Sequence, residues 1–405
     1  MSMTTLSDLR LRLESLAIFR DLLQDPVLEA LCAYLRAREQ QPEDRAVSAY
    51  AEFVSRLYSK GGSLGSYMQA LCHNSENAYV RMVAAGQTPL AEMEECLQAE
   101  LSALQAVAQM TSARLCQGLE WQGFLPGFAS GGVDLRADYQ ARIADIGKYG
   151  YGVYARNRMF YIDDRGHIVP VKHPDPIALE DLVDYELERQ KLVDNTLALL
   201  SGKPAANALL TGDAGTGKSS TVKAIVNALY DRGLRVIEVR KDQLAVIPRV
   251  LDELAANPLK FILFIDDLSF AADDHDYTAL KTVLEGSVAA RSSNTVVYAT
   301  SNRRHLIQET FQSRQGDEIH ISDTLEEVSS LSARFGIVIT FGRPDKDLYL
   351  SVVEKLAERV GLPVDDTLTK EAEAYALRAG GRSPRVARQY IEYKTAMECD
   401  TSCAK

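Results

Sequence analysis

Residues 212–219 have the types and spacing that bind phosphate. They read Gly-Asp-Ala-Gly-Thr-Gly-Lys-Ser, a glycine, four free positions and then Gly-Lys-Ser. Glycines let such a loop curl and aim its backbone N–H groups at phosphate oxygens, and the helix start adds a positive dipole end. We expect Lys218 to reach the β- and γ-phosphates of ATP and Ser219 to hold Mg²⁺. The predicted nucleotide-binding residues are Gly212, Asp213, Ala214, Gly215, Thr216, Gly217, Lys218, Ser219 and Ser220.

This loop lies between a predicted strand and a predicted helix, which is the context that the motif requires. The strand is residues 208–211, and the helix that begins at Ser219 carries one apolar face, formed by Val222, Ile225, Val226 and Leu229. The alternative is a Gly-rich turn that matches the pattern by accident. The residues that follow along the chain argue against that alternative.

A second run, about fifty residues further on, ends in two carboxylates. Residues 261–265 read Phe-Ile-Leu-Phe-Ile and precede Asp266 and Asp267. A continuous apolar run predicts a parallel strand buried on both faces, and open α/β sheets bind ligands at the carboxyl ends of their strands. We expect Asp266 to assist Mg²⁺, directly or through water. Two solvated carboxylates that cap a turn are the alternative.

Three polar residues later in the chain complete an ordered set. Asn302 ends the predicted strand 295–302, Arg334 precedes the predicted strand 337–341, and Arg385 lies at the start of a predicted helix. Alone, each is a weak signal, because an isolated Asn after a strand is usually a turn residue and an isolated Arg is usually a solvated charge. In this order and at this spacing, the set resembles the AAA+ ATPases.

The resemblance to AAA+ ATPases implies a role for each residue of the set. It implies that Asn302 orients the attacking water, that Arg334 is an arginine finger for the neighbouring subunit's site, and that Arg385 reads the γ-phosphate from a lid. Asp267 stands where many of these ATPases have a glutamate that activates water. Asp is one methylene shorter, but the Asp-Asp pair also resembles replication initiators and helicase loaders of this class, which hydrolyse ATP with it.

The likeness extends to one family within the AAA+ class. Roughly residues 170–395 are similar to an uncharacterised family of bacterial AAA+ ATPases, a domain of unknown function. Four stretches carry this likeness, at residues 264–270, 298–306, 318–320 and 330–336. Members of that family commonly have Asp before Arg-Phe-Gly, where this chain has Ala333. Residues 177–186 also resemble the AAA+ segment that wraps adenine, with Asp184 in place of its usual glycine.

The composition is that of an ordinary globular protein of two or three domains. A net charge of −11 over 405 residues argues against a broad nucleic-acid-binding face, and it leaves a local basic patch open. We find no secretory signal and no apolar run long enough to span a membrane. We therefore expect a cytoplasmic protein with six reduced cysteines and no membrane partner. Cys399 and Cys403 lack further ligands nearby in the sequence, so we predict no metal there.

We predict four regions along the chain. Residues 1–118 form a mainly helical N-terminal domain, and residues 119–174 form a Gly- and aromatic-rich segment with a β-hairpin. Residues 175–344 form the ATPase core, and residues 345–405 form a helical lid and tail. The core holds five buried strands that alternate with helices, which predicts an α/β, P-loop fold with a five-stranded parallel sheet covered on both faces.

The N-terminal half leaves alternatives open. We interpret the apolar stripes that begin at Leu9 and Leu97 as the core of a helical bundle, and contact with a partner or another subunit is the alternative. The aromatic residues between Trp121 and Tyr154 lie beside two arginines. They either tuck this segment onto a neighbouring domain, which we favour, or stack on bases or grip a peptide.

Together these expectations describe an ATP-dependent machine. We predict an AAA+ ATPase that binds and hydrolyses Mg-ATP at the subunit interfaces of a ring or other oligomer. Its work would be to remodel or load a protein or nucleoprotein partner through residues 1–174. A slow-turnover ATP-binding switch or scaffold is the alternative. A peptide-threading unfoldase is disfavoured, because residues 240–248 lack an aromatic–hydrophobic–Gly loop; Arg240 and Lys241 leave contact with a phosphate backbone open.

Overall fold

The chain forms two compact units, Met1–Arg156 and Asn157–Lys405. The structure, a computed structural model, describes residues 5–40, 42–268, 280, 284, 293–302 and 334–403, with side chains up to residue 397. The predicted segment 119–174 is divided between the units. Its Gly-rich part packs on the N-terminal helices, whereas its hairpin joins the sheet of the second unit.

Some residues on which the sequence predictions depend lie outside the described ranges. They are residues 269–270, 303–306, 318–320 and 330–333, together with the side chains of Cys399 and Cys403.

The first unit is built from helices. They are α1 (Leu6–Glu14), α2 (Pro26–Gln40), α3 (Glu43–Tyr58), α4 (Leu64–Asn74), α5 (Ala78–Ala84), α6 (Ala91–Ala108), α7 (Ser112–Cys116), α8 (Leu135–Ala144) and α9 (Ile146–Tyr149), with 3₁₀ turns at Arg20–Gln24 and Gly152–Ala155. Short polar residues begin several of them. For example, the hydroxyl of Thr5 accepts the N–H of Asp8, and the amide oxygen of Asn77 accepts that of Val80.

Both predicted apolar stripes lie in the core of this unit. Leu9, Leu13 and Phe19 from the first stripe are fully buried, as are Leu101 and Met110 from the second. The second stripe spans two helices, because α6 ends at Ala108 and Thr111 caps α7. These contacts confirm the interpretation of the stripes as bundle core.

The second unit contains one seven-stranded sheet. Its strands are β1 (Met159–Ile162), β2 (Ile168–Pro170), β3 (Ala208–Gly212), β4 (Leu234–Glu238), β5 (Lys260–Ile265), β6 (Thr295–Ser301) and β7 (Ile337–Phe341). Their order is β2-β1-β4-β5-β6-β3-β7, and every pair except β1–β2 is parallel. The five predicted strands are confirmed, but the predicted strand count is wrong. The hairpin β1–β2 extends the sheet by pairing β1 in parallel with β4.

Helices cover this sheet and form a lid beyond it. They are α10 (Glu186–Leu200), α11 (Lys218–Leu229), α12 (Ile247–Ala255), α13 (Lys346–Val360), α14 (Asp366–Arg378) and α15 (Pro384–Cys403), with 3₁₀ turns at Leu179–Asp181, Tyr230–Arg232 and Lys241–Val246. Apolar residues of α10 and α11 pack on one face of the sheet, and α13, α14 and α15 share a separate core. Phe261, Leu263 and Ile265, which point to the other face, are also buried. In the part of the chain that is described, no helix is long and apolar enough to cross a membrane.

The observed helix bounds differ slightly from the predicted ones. For example, α11 begins at Lys218, one residue before the predicted start. In the predicted lid, α14 begins at Asp366 because the Asp365 carboxylate accepts the N–H of Leu368 at 2.7 Å.

Candidate functional site

The 212–219 loop curls because its glycines adopt angles that other residues disfavour. Gly215 and Gly217 have φ angles of +81° and +93°, in the left-handed region. At Gly212, φ is +139°, and a Cβ atom would lie 2.0 Å from the carbonyl oxygen of Phe341 on β7. Only glycine therefore fits where β3 turns away from β7 and leads into α11.

Lys218 lies inside this loop and is 5% exposed. Its Nζ donates to the carbonyl oxygens of Gly212 and Asp213, both at 2.8 Å, and to Oδ1 of Asn302 at 3.0 Å. Burial lowers the pKa of this ammonium group, and nearby carboxylates, chiefly that of Asp266, oppose the shift. A desolvated ammonium group that is held mainly by neutral oxygens attracts an incoming anion strongly.

Ser219 and Asp266 meet beside Lys218. The Ser219 hydroxyl donates to Asp266 Oδ1 at 2.6 Å, and the Thr300 hydroxyl donates to the same oxygen at 2.5 Å. Because these residues come from the start of α11, the end of β5 and from β6, three elements fix one carboxylate. Hydroxyl and carboxylate oxygens are ligands that suit Mg²⁺. Among the described residues no group of three or more His, Cys, Asp or Glu side chains could hold a metal ion, so Mg²⁺ here would need further oxygens from a ligand or water.

Asp267 and Asn302 extend this arrangement. Asn302 Nδ2 donates to Asp267 Oδ1 at 2.7 Å, so a continuous hydrogen-bonded chain runs from Lys218 through Asn302 to Asp267. Asp267 has a φ angle of +54°, which is strained for a residue with a side chain, although Asp tolerates it better than most. Its backbone N–H donates to the Thr300 hydroxyl at 2.9 Å, which fixes this turn.

The polar residues line a cleft of about 390 Å³. Its lining includes residues 214–221, Asp266, Asp267 and Asn302. Gly212 and Asp213 take part through the carbonyl groups that hold Lys218. The lining of the cleft also includes an apolar part, here called the apolar end, formed by Leu182 and Val183 together with Val352 and Leu356 of α13.

The lid touches the loop through Arg385, which also lines the cleft. The backbone N–H of Arg385 donates to the carbonyl oxygen of Gly215 at 3.3 Å. A Cβ atom on Gly215 would lie 3.1 Å from both Arg385 Cβ and Ser383 Oγ, so glycine permits this close approach. Burial lowers the pKa of Lys218, and the charge of Arg385 acts in the same direction.

Arg334 is the one predicted site residue that lies away from the cleft. β3 and β7 are parallel, with Ala208 opposite Ile337 and Gly212 opposite Phe341. The loop follows the C-terminal end of β3, whereas Arg334 precedes the N-terminal end of β7. Strand β7 alone spans about 13 Å at ~3.3 Å per residue. Arg334 therefore lies at the N-terminal ends of these parallel strands, whereas the cleft of its own chain lies at their C-terminal ends.

The 177–186 segment makes a left-handed turn without glycine. Asp184 and Tyr185 have φ angles of +65° and +60°. The buried Arg189 donates to the carbonyl oxygen of Asp184, and the Tyr185 hydroxyl donates to that of Gly342. The Tyr185 ring lies 5.1 Å from that of Phe341. Burial raises the pKa of the Asp184 carboxyl, and its Oδ2 has no hydrogen-bond partner in the described parts of the chain.

Among the cleft residues that sequence reasoning did not assign to the site are Thr300 and Arg388. Thr300 contacts both carboxylate residues, and Arg388 lines the cleft from α15. Both carried a usable signal. Thr300 lies two residues before Asn302 and so on the same side of the strand, and Arg388 lies three residues after Arg385 and so on the same side of the helix.

The segment after β4 is held by the hairpin. Arg240 pairs with Asp164 at 2.8 Å and with Asp242 at 3.2 Å. Gln243 Nε2 donates to the carbonyl oxygens of Ile162 at 3.3 Å and Asp163 at 3.1 Å. Arg240 is thus engaged by two carboxylates, which reduces the positive charge that it would offer to a phosphate backbone.

The chain is similar to several solved structures and to one protein family. One variant of RuvB from Thermotoga maritima shares 18% identity and a TM-score of 0.39, covering 56% of this chain and 67% of that one. Another structure from that organism, the RuvB Holliday junction branch migration motor, shares 15% identity and a TM-score of 0.33, covering 54% and 72%. Among curated proteins, no relative matches the chain.

The family comparison covers more than half of the chain, residues 155–398, and coincides with the unit that holds the cleft. The parallel sheet, the phosphate-loop motif between β3 and α11, and the helical lid confirm the predicted P-loop AAA+ fold. The chain belongs to the family described as "Protein of unknown function (DUF815)".

Proposed function

We propose that the chain is an ATPase that binds Mg-ATP in the cleft of its second unit and hydrolyses it. One observation carries this proposal: Lys218, Ser219, Asp266, Asp267 and Asn302, from separate strands and a helix start, form one set of hydrogen bonds on one cleft, connected through Thr300. If these side chains served only to stabilise the fold, they would make their hydrogen bonds to backbone groups away from solvent. Convergence of a cation, a hydroxyl and carboxylates on an open cleft favours phosphate chemistry.

The roles divide by position. Lys218 and the loop would hold the phosphates, and the apolar end of the cleft would take the base. Ser219 and Asp266 would hold Mg²⁺, which supplies positive charge to the phosphate oxygens when it is bound. Asp267, kept in place by Asn302 and by the Thr300 hydroxyl, would accept a proton from the attacking water.

We further propose that the active form is an oligomer. Arg334 and the cleft of its own chain lie at opposite ends of the parallel strands. A side chain does not span the length of a strand. Arg334 could stabilise transition-state charge only in the cleft of a neighbouring copy. In such an assembly, residues 1–174 would select the protein or nucleoprotein partner that the ATPase remodels or loads.

A slow nucleotide switch or scaffold is the second candidate. Asp267 is one methylene shorter than a glutamate, its backbone is in the left-handed region, and its Oδ1 is already bonded to Asn302. These features favour a carboxylate with a structural role in the cleft, and therefore slow ATP hydrolysis.

Turnover measured against protein concentration separates the two candidates. We would measure ATP hydrolysis with Mg²⁺ over a wide range of protein concentration, with mass by light scattering in ATP and in ADP. For an assembling ATPase, turnover per chain rises as self-association rises. Near-zero turnover at every concentration, with ATP bound, would support the switch instead.

A further inference from the structure

We infer that Arg388 is a second phosphate-binding residue of the lid, directed at the α-phosphate that ADP and ATP share. This inference rests on the proposed function of the same cleft. Arg385 and Arg388 both line the cleft from α15. Residues three apart lie on the same face of an α-helix and about 4.5 Å apart along its axis. Two guanidinium groups therefore reach the cleft from neighbouring turns of one helix.

Arg385 lies at the loop end of the cleft. Its backbone N–H donates to the carbonyl oxygen of Gly215 at 3.3 Å, and its Cβ would lie 3.1 Å from a Cβ on Gly215. A phosphate-loop lysine reaches the β- and γ-phosphates. Arg385 is accordingly placed for the terminal phosphate, which only ATP carries.

Arg388 lies one turn further from the loop. Its neighbours Ala387 and Tyr390 are buried in the lid core, which fixes the backbone of this turn. That core also holds α13, whose Val352 and Leu356 line the apolar end of the cleft. Arg388 thus lines the cleft from a part of the lid whose core is continuous with the apolar end. With the base at that end, this stretch of the cleft receives the α-phosphate.

The two arginines therefore have different effects on nucleotide binding. A guanidinium group donates two parallel hydrogen bonds to phosphate, so the loss of either one weakens binding of the phosphate that it contacts. Arg388 sets the affinity of the lid for ADP and ATP alike. Arg385 sets the preference for ATP.

Calorimetric titration of the full chain with ADP and with a non-hydrolysable ATP analogue, both with Mg²⁺, tests this division. We expect Arg388→Ala to weaken both ligands by the same factor, about tenfold. Arg385→Ala should weaken the ATP analogue by about tenfold and ADP by less than about twofold. The matched control is Arg378→Ala, which removes the same charge from an exposed lid arginine whose Nε donates within its own helix to Ala374; it should bind both ligands as wild type does.

A second variant guards against a folding defect. Arg388→Lys keeps the charge but not the planar fork, and it should weaken both ligands equally and by less than Arg388→Ala does. If Arg388→Ala melts below the wild type, the Arg388→Lys result decides. Wild-type affinity in the deciding variant, or a loss confined to the ATP analogue, overturns the inference alone. A wild-type chain that binds neither ligand overturns the proposed function and the inference together.

Discussion

The two units of the chain each hold a firmly bonded carboxylate and use it differently. In the helical unit, Glu100 is 6% exposed and accepts the backbone N–H groups of Ala17, Ile18 and Phe19 at 2.6 to 3.0 Å. In the sheet-containing unit, Asp266 accepts hydrogen bonds from two hydroxyl groups and lines an open cleft. A carboxylate satisfied by buried backbone stabilises a fold, whereas one held by side chains at the rim of a cleft stays accessible to a ligand.

The largest effect that we expect concerns Arg334. Arg334→Ala should leave nucleotide affinity within about twofold and lower turnover by about a thousandfold, because an arginine finger acts on transition-state charge. Steady-state hydrolysis and a binding titration measure the two quantities. Arg232→Ala, which removes an exposed arginine of the same unit, is the control and should hydrolyse ATP normally. Normal turnover in Arg334→Ala would remove the neighbouring subunit from the chemistry.

Lys218→Ala should have the next largest effect. Loss of the buried ammonium group removes the main cation of the loop, and we expect ATP affinity to fall by at least about a hundredfold. Fluorescence titration with a labelled ATP analogue measures this loss. Lys203→Ala, at an exposed position just before β3, should bind as wild type does. Equal affinities in the two variants would mean that the 212–219 loop does not bind phosphate.

Glu100→Ala tests the structural side of the comparison. It leaves three backbone N–H groups near α1 without their acceptor, so the free energy of unfolding should fall by about 3 kcal/mol. Chemical denaturation measures this change, with Glu95→Ala on the exposed side of α6 as a control that should stay within about 0.5 kcal/mol. Nucleotide affinity should not change. A loss of nucleotide binding in folded Glu100→Ala would contradict a purely structural role for Glu100.

The smallest effect should follow from Asp184→Gly. Glycine adopts a φ angle of +65° without strain, and the change removes a buried carboxylate oxygen that has no partner among the described residues. We expect the sheet-containing unit to gain about 1 kcal/mol of stability. In contrast, Tyr185→Gly also relieves a positive φ angle but loses the ring contact with Phe341, so it should destabilise the same turn. Thermal unfolding compares the two; a destabilised Asp184→Gly would mean that the carboxyl group has a structural role.

Much of the sheet-containing unit could be predicted from the sequence, because its signals are local. An apolar run followed by Asp266 and Asp267 predicts a buried strand with carboxylates at its end, and the glycines of the loop predict the turn at Gly215. The pairing of β1 with β4 could not be predicted, since it joins residues that are distant in sequence. Local patterns do not encode that long-range choice of partner.

The cleft was predictable in part for the same reason. Lys218 and Ser219 follow from one short motif, but the shared contacts of Thr300 with Asp266 and Asp267 require knowing that β5 and β6 are neighbours. The position of Arg388 requires knowing how α15 lies against the loop. The left-handed turn at Asp184 runs against residue preference and is held by Arg189, a contact that propensity does not reveal.

ATP hydrolysis by Asp267→Asn, measured beside ATP binding by the same variant, is the most direct test of the proposed chemistry. The asparagine keeps the size of the side chain and an oxygen for the Asn302 hydrogen bond, but it cannot accept a proton from water. We predict that this variant binds ATP as wild type does and loses its turnover, while Asp252→Asn on the exposed side of α12 keeps both. Unchanged turnover in Asp267→Asn would contradict the assignment of this cleft as an ATPase site that works through Asp267.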